Sequence, residues 1–130
     1  MSFRSHHRAA AAAGTALIGA MIVAGCSGLH PPATAAAEPG AEAALNRMAE
    51  QPCNLTVAEA LAGAHVPVSQ VDHMAYGFYR DSNTGNITMY DAWLALKGQR
   101  GSLVVQMEPS CRLVQVYTRG GAKVPQVAEW

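Results

Sequence analysis

Apolar residues are arranged in three different ways along this chain, and each arrangement predicts a different kind of segment. Residues 9–25 carry no charge and are mostly apolar. Between residues 40 and 64, apolar positions recur at intervals of three and four, which is typical of amphipathic helices. Between residues 73 and 119 they alternate with polar positions, as they do along half-buried strands. The pattern therefore predicts an apolar N-terminal segment, then helices, then a sheet.

Two helices are predicted in the middle part. Residues 40–51 form the first, with Pro52 as its stop. The second begins at a capping box, because Thr56 and Glu59 have the spacing at which each side chain bonds the other's backbone amide. Gly63 and Pro67 bracket its end.

Four strand-like runs follow, over residues 73–80, 87–97, 102–108 and 112–119. Short turn sequences between consecutive runs favour an antiparallel meander. The predicted fold class is α+β, with one or two N-terminal helices packed on a four-stranded antiparallel meander, in a domain of residues 41–130. Residues 124–130 are interpreted as a tail that covers an open edge or face.

Alternation divides the four runs into two faces. One set is nearly all apolar and is predicted to form the core: Met74, Tyr76, Phe78, Tyr90, Ala92, Leu94, Leu96, Leu103, Val105, Met107, Val114 and Val116. The opposite set is also rich in large side chains, whereas a solvated sheet face is mostly polar. Either the first helix or the tail covers this second face, or part of it binds a partner. The predicted partner-binding residues are Trp93, Tyr117, Tyr79 and Arg119, since Tyr, Trp and Arg are enriched at interface hot spots.

The N-terminal apolar segment has the organisation of a secretory signal. Arg4 and Arg8 precede it without any acidic residue, and small residues end it. A retained transmembrane helix is the alternative, but the run is shorter than the ~20 residues that a span needs. An ordinary cleaved signal is a second alternative.

The end of this segment, Val23, Ala24, Gly25 and Cys26, resembles the lipobox of bacterial lipoproteins. The resemblance implies that residues 1–25 are a signal peptide and that Cys26 is lipidated after cleavage, which anchors the chain to a membrane. Ser27 follows where an aspartate commonly retains lipoproteins of that family at the inner membrane, so the implied location is the outer membrane, facing the periplasm. Residues 26–40 are then the lipidated cysteine and a flexible tether rich in Gly, Pro and Ala.

Of the three cysteines, Cys26 is expected to be lipidated. The other two, Cys53 and Cys111, are therefore predicted to form a disulfide. The alternative is a metal site that includes His65 and His73, but the chain has no close Cys–Cys or His–His spacing. No metal and no cofactor are expected.

Charge and motifs exclude several function classes. The chain has nine Lys and Arg residues, and two of them, Arg4 and Arg8, lie in the predicted signal peptide. The mature part therefore has seven basic residues and nine acidic ones, and nucleic acid is not an expected partner. The sequence contains no catalytic motif. Asp72 and His73 are neighbours in a predicted strand and are expected to point to opposite faces, which disfavours their pairing as a base and its orienter. Asp81, Asp91 and Glu108 are interpreted as solvated carboxylates. The chain is therefore predicted not to be an enzyme.

The expected function is that of a membrane-anchored accessory or interaction subunit of a bacterial envelope assembly, with an envelope protein as partner. The predicted order of helices before a short antiparallel sheet is similar to that of the accessory subunit of the β-barrel assembly machine, in layout only. The alternative is a small periplasmic lipoprotein that binds a ligand or inhibits a hydrolase.

Overall fold

Two short helices precede a five-stranded sheet in the computed structural model, which describes residues 32–130. The elements are α1 (Ala41–Met48), α2 (Asn54–Gly63), one 3₁₀ turn (Val68–Gln70), β1 (Val71–Arg80), β2 (Ile87–Leu96), β3 (Ser102–Met107), β4 (Leu113–Arg119) and β5 (Ala128–Glu129). The predicted α+β class is confirmed. The predicted signal peptide of residues 1–25 and Cys26 lie outside the described residues.

The strands lie side by side in chain order, and β1 to β4 are antiparallel to their neighbours. The short strand β5 pairs in parallel with β4, through Tyr117 with Ala128 and Thr118 with Glu129. The sheet is therefore mixed and five-stranded rather than a four-stranded meander. Two residues are too few for a hydrophobic alternation, so the sequence pattern indicated a tail but no strand in it.

Both helices lie on one side of the sheet and share a core with it. Leu45 of α1 and Val57 and Leu61 of α2 are buried in one cluster with the apolar side chains that β1, β2 and β3 direct toward the helices. The first helix is therefore part of the core. The buried sheet residues of this cluster are Val71, Met74, Ala92, Leu94, Leu96, Leu103, Val105 and Met107.

Two residues of the predicted core face are placed differently. Phe78 is 46% exposed near the end of β1, where it stacks on Tyr76. In β4 the register shifts between the partners of Gln106 and Met107, so that Leu113 rather than Val114 packs against the core. This irregularity adds a residue to one strand and reverses the alternation beyond it.

The helix boundaries also differ from those predicted. Helix α1 ends at Met48 because Ala49 is extended, with φ −154°, and its carbonyl accepts a hydrogen bond from the Asn54 side chain. Helix α2 begins at Asn54 with no side-chain cap, two residues before the predicted capping box. The Thr56 hydroxyl donates instead to the Cys111 carbonyl, at 2.9 Å. The capping box was a wrong prediction, because a residue distant in sequence supplies the partner.

A disulfide joins Cys53 and Cys111, as predicted. Their Cα atoms lie 5.0 Å apart across 58 residues of sequence. Cys53 immediately precedes α2 and Cys111 lies in the loop before β4. The bond therefore ties the N-terminal end of α2 to the sheet.

The later part of the predicted flexible tether is packed against the domain. The Ala35 amide donates to the Glu59 carbonyl at 3.2 Å, and Ala37 contacts the core. Gly63 lies so close to the segment that a Cβ atom there would be 2.0 Å from the Ala33 carbonyl oxygen. The range 26–40 was therefore too long for a tether, since small residues let this stretch lie directly against α2.

Candidate functional site

The four predicted partner-binding residues lie on one face of the sheet. We call it the outer face; it is the side of β1–β4 opposite the helices. The strand register aligns Trp93, Val104 and Tyr117 in one row across β2, β3 and β4. Arg119 follows Tyr117 by two residues, and its guanidinium carbon lies 5.9 Å from the centre of the Trp93 ring. Tyr79 belongs to the same face from β1 and is 50% exposed.

A carboxylate that the sequence prediction treated as solvated is fully buried beneath this face. Asp91 has no exposed surface. One of its oxygens accepts a hydrogen bond from the Tyr79 hydroxyl at 2.9 Å, and the other accepts from the Gln106 side-chain amide at 3.0 Å. The prediction of a solvated Asp91 was wrong. Its position on the strand between β1 and β3, flanked by large side chains on the same face, is the signal that could have identified it.

Asp91 and Arg119 shift the pKa values of the outer-face tyrosines in opposite directions. The pKa of Tyr79 is raised mainly because its hydroxyl donates to the Asp91 carboxylate, and the Asp91 charge raises it further. Burial raises the pKa of Tyr117, and the Asp91 charge adds to this effect. Arg119 lowers both pKa values and so opposes Asp91. The face thus combines one anion and one cation that partly balance each other.

Trp130 extends the outer face at the β4 edge. Its backbone amide donates to the Thr118 carbonyl at 2.9 Å, and its ring centre lies 6.0 Å from that of Tyr117. The indole is 73% exposed. A cavity of about 360 Å³ lies beside it, lined by Gln106, Gln115, Tyr117, Arg119 and Trp130.

The two covers that the sequence allowed for this face can now be distinguished. Helix α1 packs into the core on the other side of the sheet, through Ala41 and Leu45. The tail reaches the outer face through Trp130, beside Tyr117. Tyr79, on the first strand of the sheet, remains half exposed. On the same face Val104 is fully buried, and Trp93 and Tyr117 are half-buried. Within the described residues, the tail therefore covers part of the outer face beside Tyr117 and leaves Tyr79 accessible.

A second cavity lies on the helical side of the domain. It measures about 320 Å³ and is lined mostly by alanine, valine and leucine side chains of α1, α2 and the 3₁₀ turn, with Glu38 and His65 at its polar positions. The Glu38 carboxylate accepts a hydrogen bond from the Val68 amide at 3.0 Å. This cavity contains none of the residues predicted to bind a partner.

Asp72 and His73 are paired, contrary to the prediction that they point to opposite faces. The register of β1 shifts between Val71 and His73, and the His73 Nδ1 atom lies 3.0 Å from an Asp72 oxygen. Both side chains are exposed, by 72% and 61%. A pair this exposed is solvated, which disfavours a role as a base and its orienter.

Within residues 32–130 no group of three or more His, Cys, Asp or Glu side chains is arranged to hold a metal ion. No helix in that range is both long and apolar enough to cross a membrane. Comparison of the chain with protein-family models, with curated proteins and with solved structures gives no significant match.

Proposed function

We propose that the chain is a membrane-anchored, non-catalytic lipoprotein of the bacterial cell envelope, an accessory or interaction subunit whose protein partner docks on the outer face. The observation that supports this most strongly is the open outer face itself. Both helices pack on the other side of the sheet, and yet the outer face carries Trp93, Tyr117, Tyr79 and Arg119.

The side chains of the outer face are held in place before any partner binds. Arg119 lies over the Trp93 ring, and Tyr79 is fixed by its bond to Asp91. Ordering a long side chain on binding costs about 0.5–1.5 kcal/mol, so groups that are already ordered retain more of their contact energy. Aromatic and arginine side chains in such positions are the usual hot spots of protein interfaces.

The proposed anchor limits the distance between the domain and the membrane. Six residues separate Cys26 from Ala33, which lies against α2, so the chain makes seven residue-to-residue steps between them. An extended chain spans at most about 3.6 Å per residue, so the lipid would lie within about 25 Å of α2. Helix α2 is thereby held close to the membrane, and the outer face lies on the other side of the sheet from it.

Partner recovery from membranes solubilised in mild detergent tests the docking face. The full chain and its variants Trp93→Ser and Tyr117→Ser are compared for recovery of the same identified envelope protein, and for melting temperature. Phe78→Ser is the matched control, because Phe78 is an exposed aromatic on the opposite side of the sheet. Lost recovery at an unchanged melting temperature, with normal recovery for the control, is expected. Normal recovery in both outer-face variants would refute the proposal.

Metabolic labelling with a tagged fatty acid tests the anchor. The wild-type chain is expected to incorporate the label. Cys26→Ser is expected to lose it, because the lipobox resemblance implies that the Cys26 sulfur carries the lipid. Cys53→Ser is the control, since Cys53 is part of the disulfide. Equal labelling of the Cys26→Ser chain and the wild type would show that the anchor is not at this residue.

The alternative, a small ligand-binding or hydrolase-inhibiting lipoprotein, is favoured by one observation. The cavity of about 360 Å³ beside Trp130 is within the size range of small-molecule sites, roughly 300–1,000 Å³. Inhibition of a cell-wall hydrolase by the purified chain, without a stable membrane partner, would favour this alternative.

A further inference from the structure

The cavity beside Trp130 combines an aromatic wall with a floor of side-chain amides. Tyr117 and Trp130 form the wall, with their ring centres 6.0 Å apart. Gln106 and Gln115 form the floor, where they face each other as a cross-strand pair of β3 and β4. Arg119 completes the lining. The site therefore offers flat apolar surface and neutral hydrogen-bonding groups side by side.

Asp91 fixes the direction of the Gln106 amide. The Gln106 nitrogen donates to the buried Asp91 carboxylate at 3.0 Å, which assigns the other amide atom of Gln106, its oxygen, as an acceptor. Because Asp91 is completely buried, this bond is shielded from competing water. A group that is oriented in advance binds a ligand at a lower entropy cost than a freely rotating one.

The charges around the cavity disfavour an ionic ligand. Asp91 has no exposed surface and both of its oxygens already accept hydrogen bonds, so it offers nothing to an ammonium group. Arg119 is the single cation in the lining, and Asp91 opposes its field at Tyr117. The Arg119 guanidinium is moreover already placed over the Trp93 ring, at 5.9 Å from its centre. The remaining chemistry is that of a neutral ligand with many hydroxyl or amide groups.

We infer that this cavity binds an uncharged saccharide that carries N-acetyl groups, with a sugar ring against Trp130 and an acetamido group against Gln106 and Gln115. The polarised C–H groups on one face of a pyranose ring complement the negative face of an indole. An acetamido group offers one donor and one acceptor, which matches the amides of the floor. This inference goes beyond the proposed docking of a protein partner, because it assigns the part of the outer face beside Trp130 to a glycan.

Calorimetric titration of the full chain in mild detergent tests the inference with two matched probes. One is the β-1,4-linked tetramer of N-acetylglucosamine, and the other is the β-1,4-linked tetramer of glucose, which has a hydroxyl in place of each acetamido group. Saturable binding of the first is expected, with affinity for the second lower by about tenfold or more. Gln115→Ala and Trp130→Ala are each expected to weaken binding of the first probe by about tenfold, at an unchanged melting temperature.

Two control variants replace a glutamine and an aromatic residue by alanine at positions away from the cavity. Gln70→Ala removes the exposed glutamine that ends the 3₁₀ turn, and Phe78→Ala removes an exposed aromatic on the other side of the sheet. Both are expected to bind like the wild type. Absence of binding of the N-acetylglucosamine tetramer, equal binding of both tetramers, or unchanged binding in the two cavity variants would overturn the inference. Partner recovery by the Gln115→Ala chain is measured in parallel, so that loss of the glycan site is distinguished from failure of the proposed docking function.

Discussion

At the scale of single residues, the outer face depends on Asp91. Its carboxylate is buried without a hydrogen-bonded cation, and it is stabilised by Tyr79 and Gln106, which are neutral donors. Among residues 32–130, no buried side-chain nitrogen or oxygen lacks a hydrogen-bond partner. Asp91 thus holds two outer-face side chains in place from below.

Removing the Asp91 carboxylate is expected to destabilise the domain. Asp91→Ala leaves the two donors without their acceptor, and a lost buried partner costs about 1–3 kcal/mol in free energy of unfolding. Asp91→Asn keeps the volume and one acceptor and is expected to cost less. Urea denaturation of both variants measures the difference. A cost for Asp91→Ala no greater than that for Asp91→Asn would contradict the role given to this carboxylate.

Tyr76 predicts how stability depends on pH. Its hydroxyl donates to the Asn54 side chain at 2.8 Å, and burial raises its pKa from 10.0 to about 12. The folded state therefore favours the neutral phenol. This stabilisation is complete below pH 10.0 and is lost as the pH rises toward about 12.

The free energy of unfolding is accordingly expected to fall between pH 10.0 and about 12, because the unfolded chain releases its phenolic protons first. Tyr76→Phe should show a shallower fall, although its stability at neutral pH is lower because Asn54 loses a donor. Tyr79 and Tyr117, whose pKa values are also raised, account for the slope that remains. A fall of equal steepness in the variant would show that Tyr76 does not carry this dependence.

At the scale of elements, residues 33–37 pack on α2, although the Gly-, Pro- and Ala-rich composition of residues 26–40 predicted a flexible tether. Gly63 ends α2, and alanine is preferred over glycine within a helix by about 1 kcal/mol. Here the absence of a side chain is required, because a Cβ atom would collide with the Ala33 carbonyl.

Gly63→Ala is therefore expected to release this segment from α2. The Ala35 amide, which bonds to the Glu59 carbonyl, should exchange its hydrogen faster, and the melting temperature should fall despite the better helix propensity. Gly77→Ala is the matched control, because a Cβ atom there meets the Trp93 side chain at an ordinary 3.5 Å. Unchanged exchange at Ala35 with a raised melting temperature would contradict the packing described.

Alternation along the chain was sufficient to place Trp93, Tyr117, Tyr79 and Arg119 on one face. Between these residues the strand pairs of β2, β3 and β4 run without a register shift, so a period of two applies. It failed at Val114 and at Asp72, where irregularities in β4 and β1 change the register. Alternation alone did not indicate the burial of Asp91, because this burial depends on the size of side chains that the sheet brings together from three strands.

At the scale of the whole molecule, the disulfide closes most of the domain into one loop. A loop of 58 residues corresponds to about 4 kcal/mol of stabilisation in a chain-entropy estimate. Small domains are stable by only about 5–15 kcal/mol, so this is a large share. Reduction, or paired replacement of Cys53 and Cys111 by Ala, is expected to lower the denaturation midpoint strongly. A midpoint that is unchanged by reductant would contradict a structural role for the bond.

The central claim is that the outer face, on the side of the sheet opposite the helices, is where an envelope partner binds. The most direct measurement is photo-cross-linking in intact cells, with the cross-linking amino acid placed at Tyr79, at Arg119 or at Arg47. The last is an exposed position on α1, on the helical side of the domain. We expect one and the same envelope protein to be cross-linked from Tyr79 and Arg119 and not from Arg47. Cross-linking of that partner from Arg47 alone would place the docking surface on the helices and contradict the account.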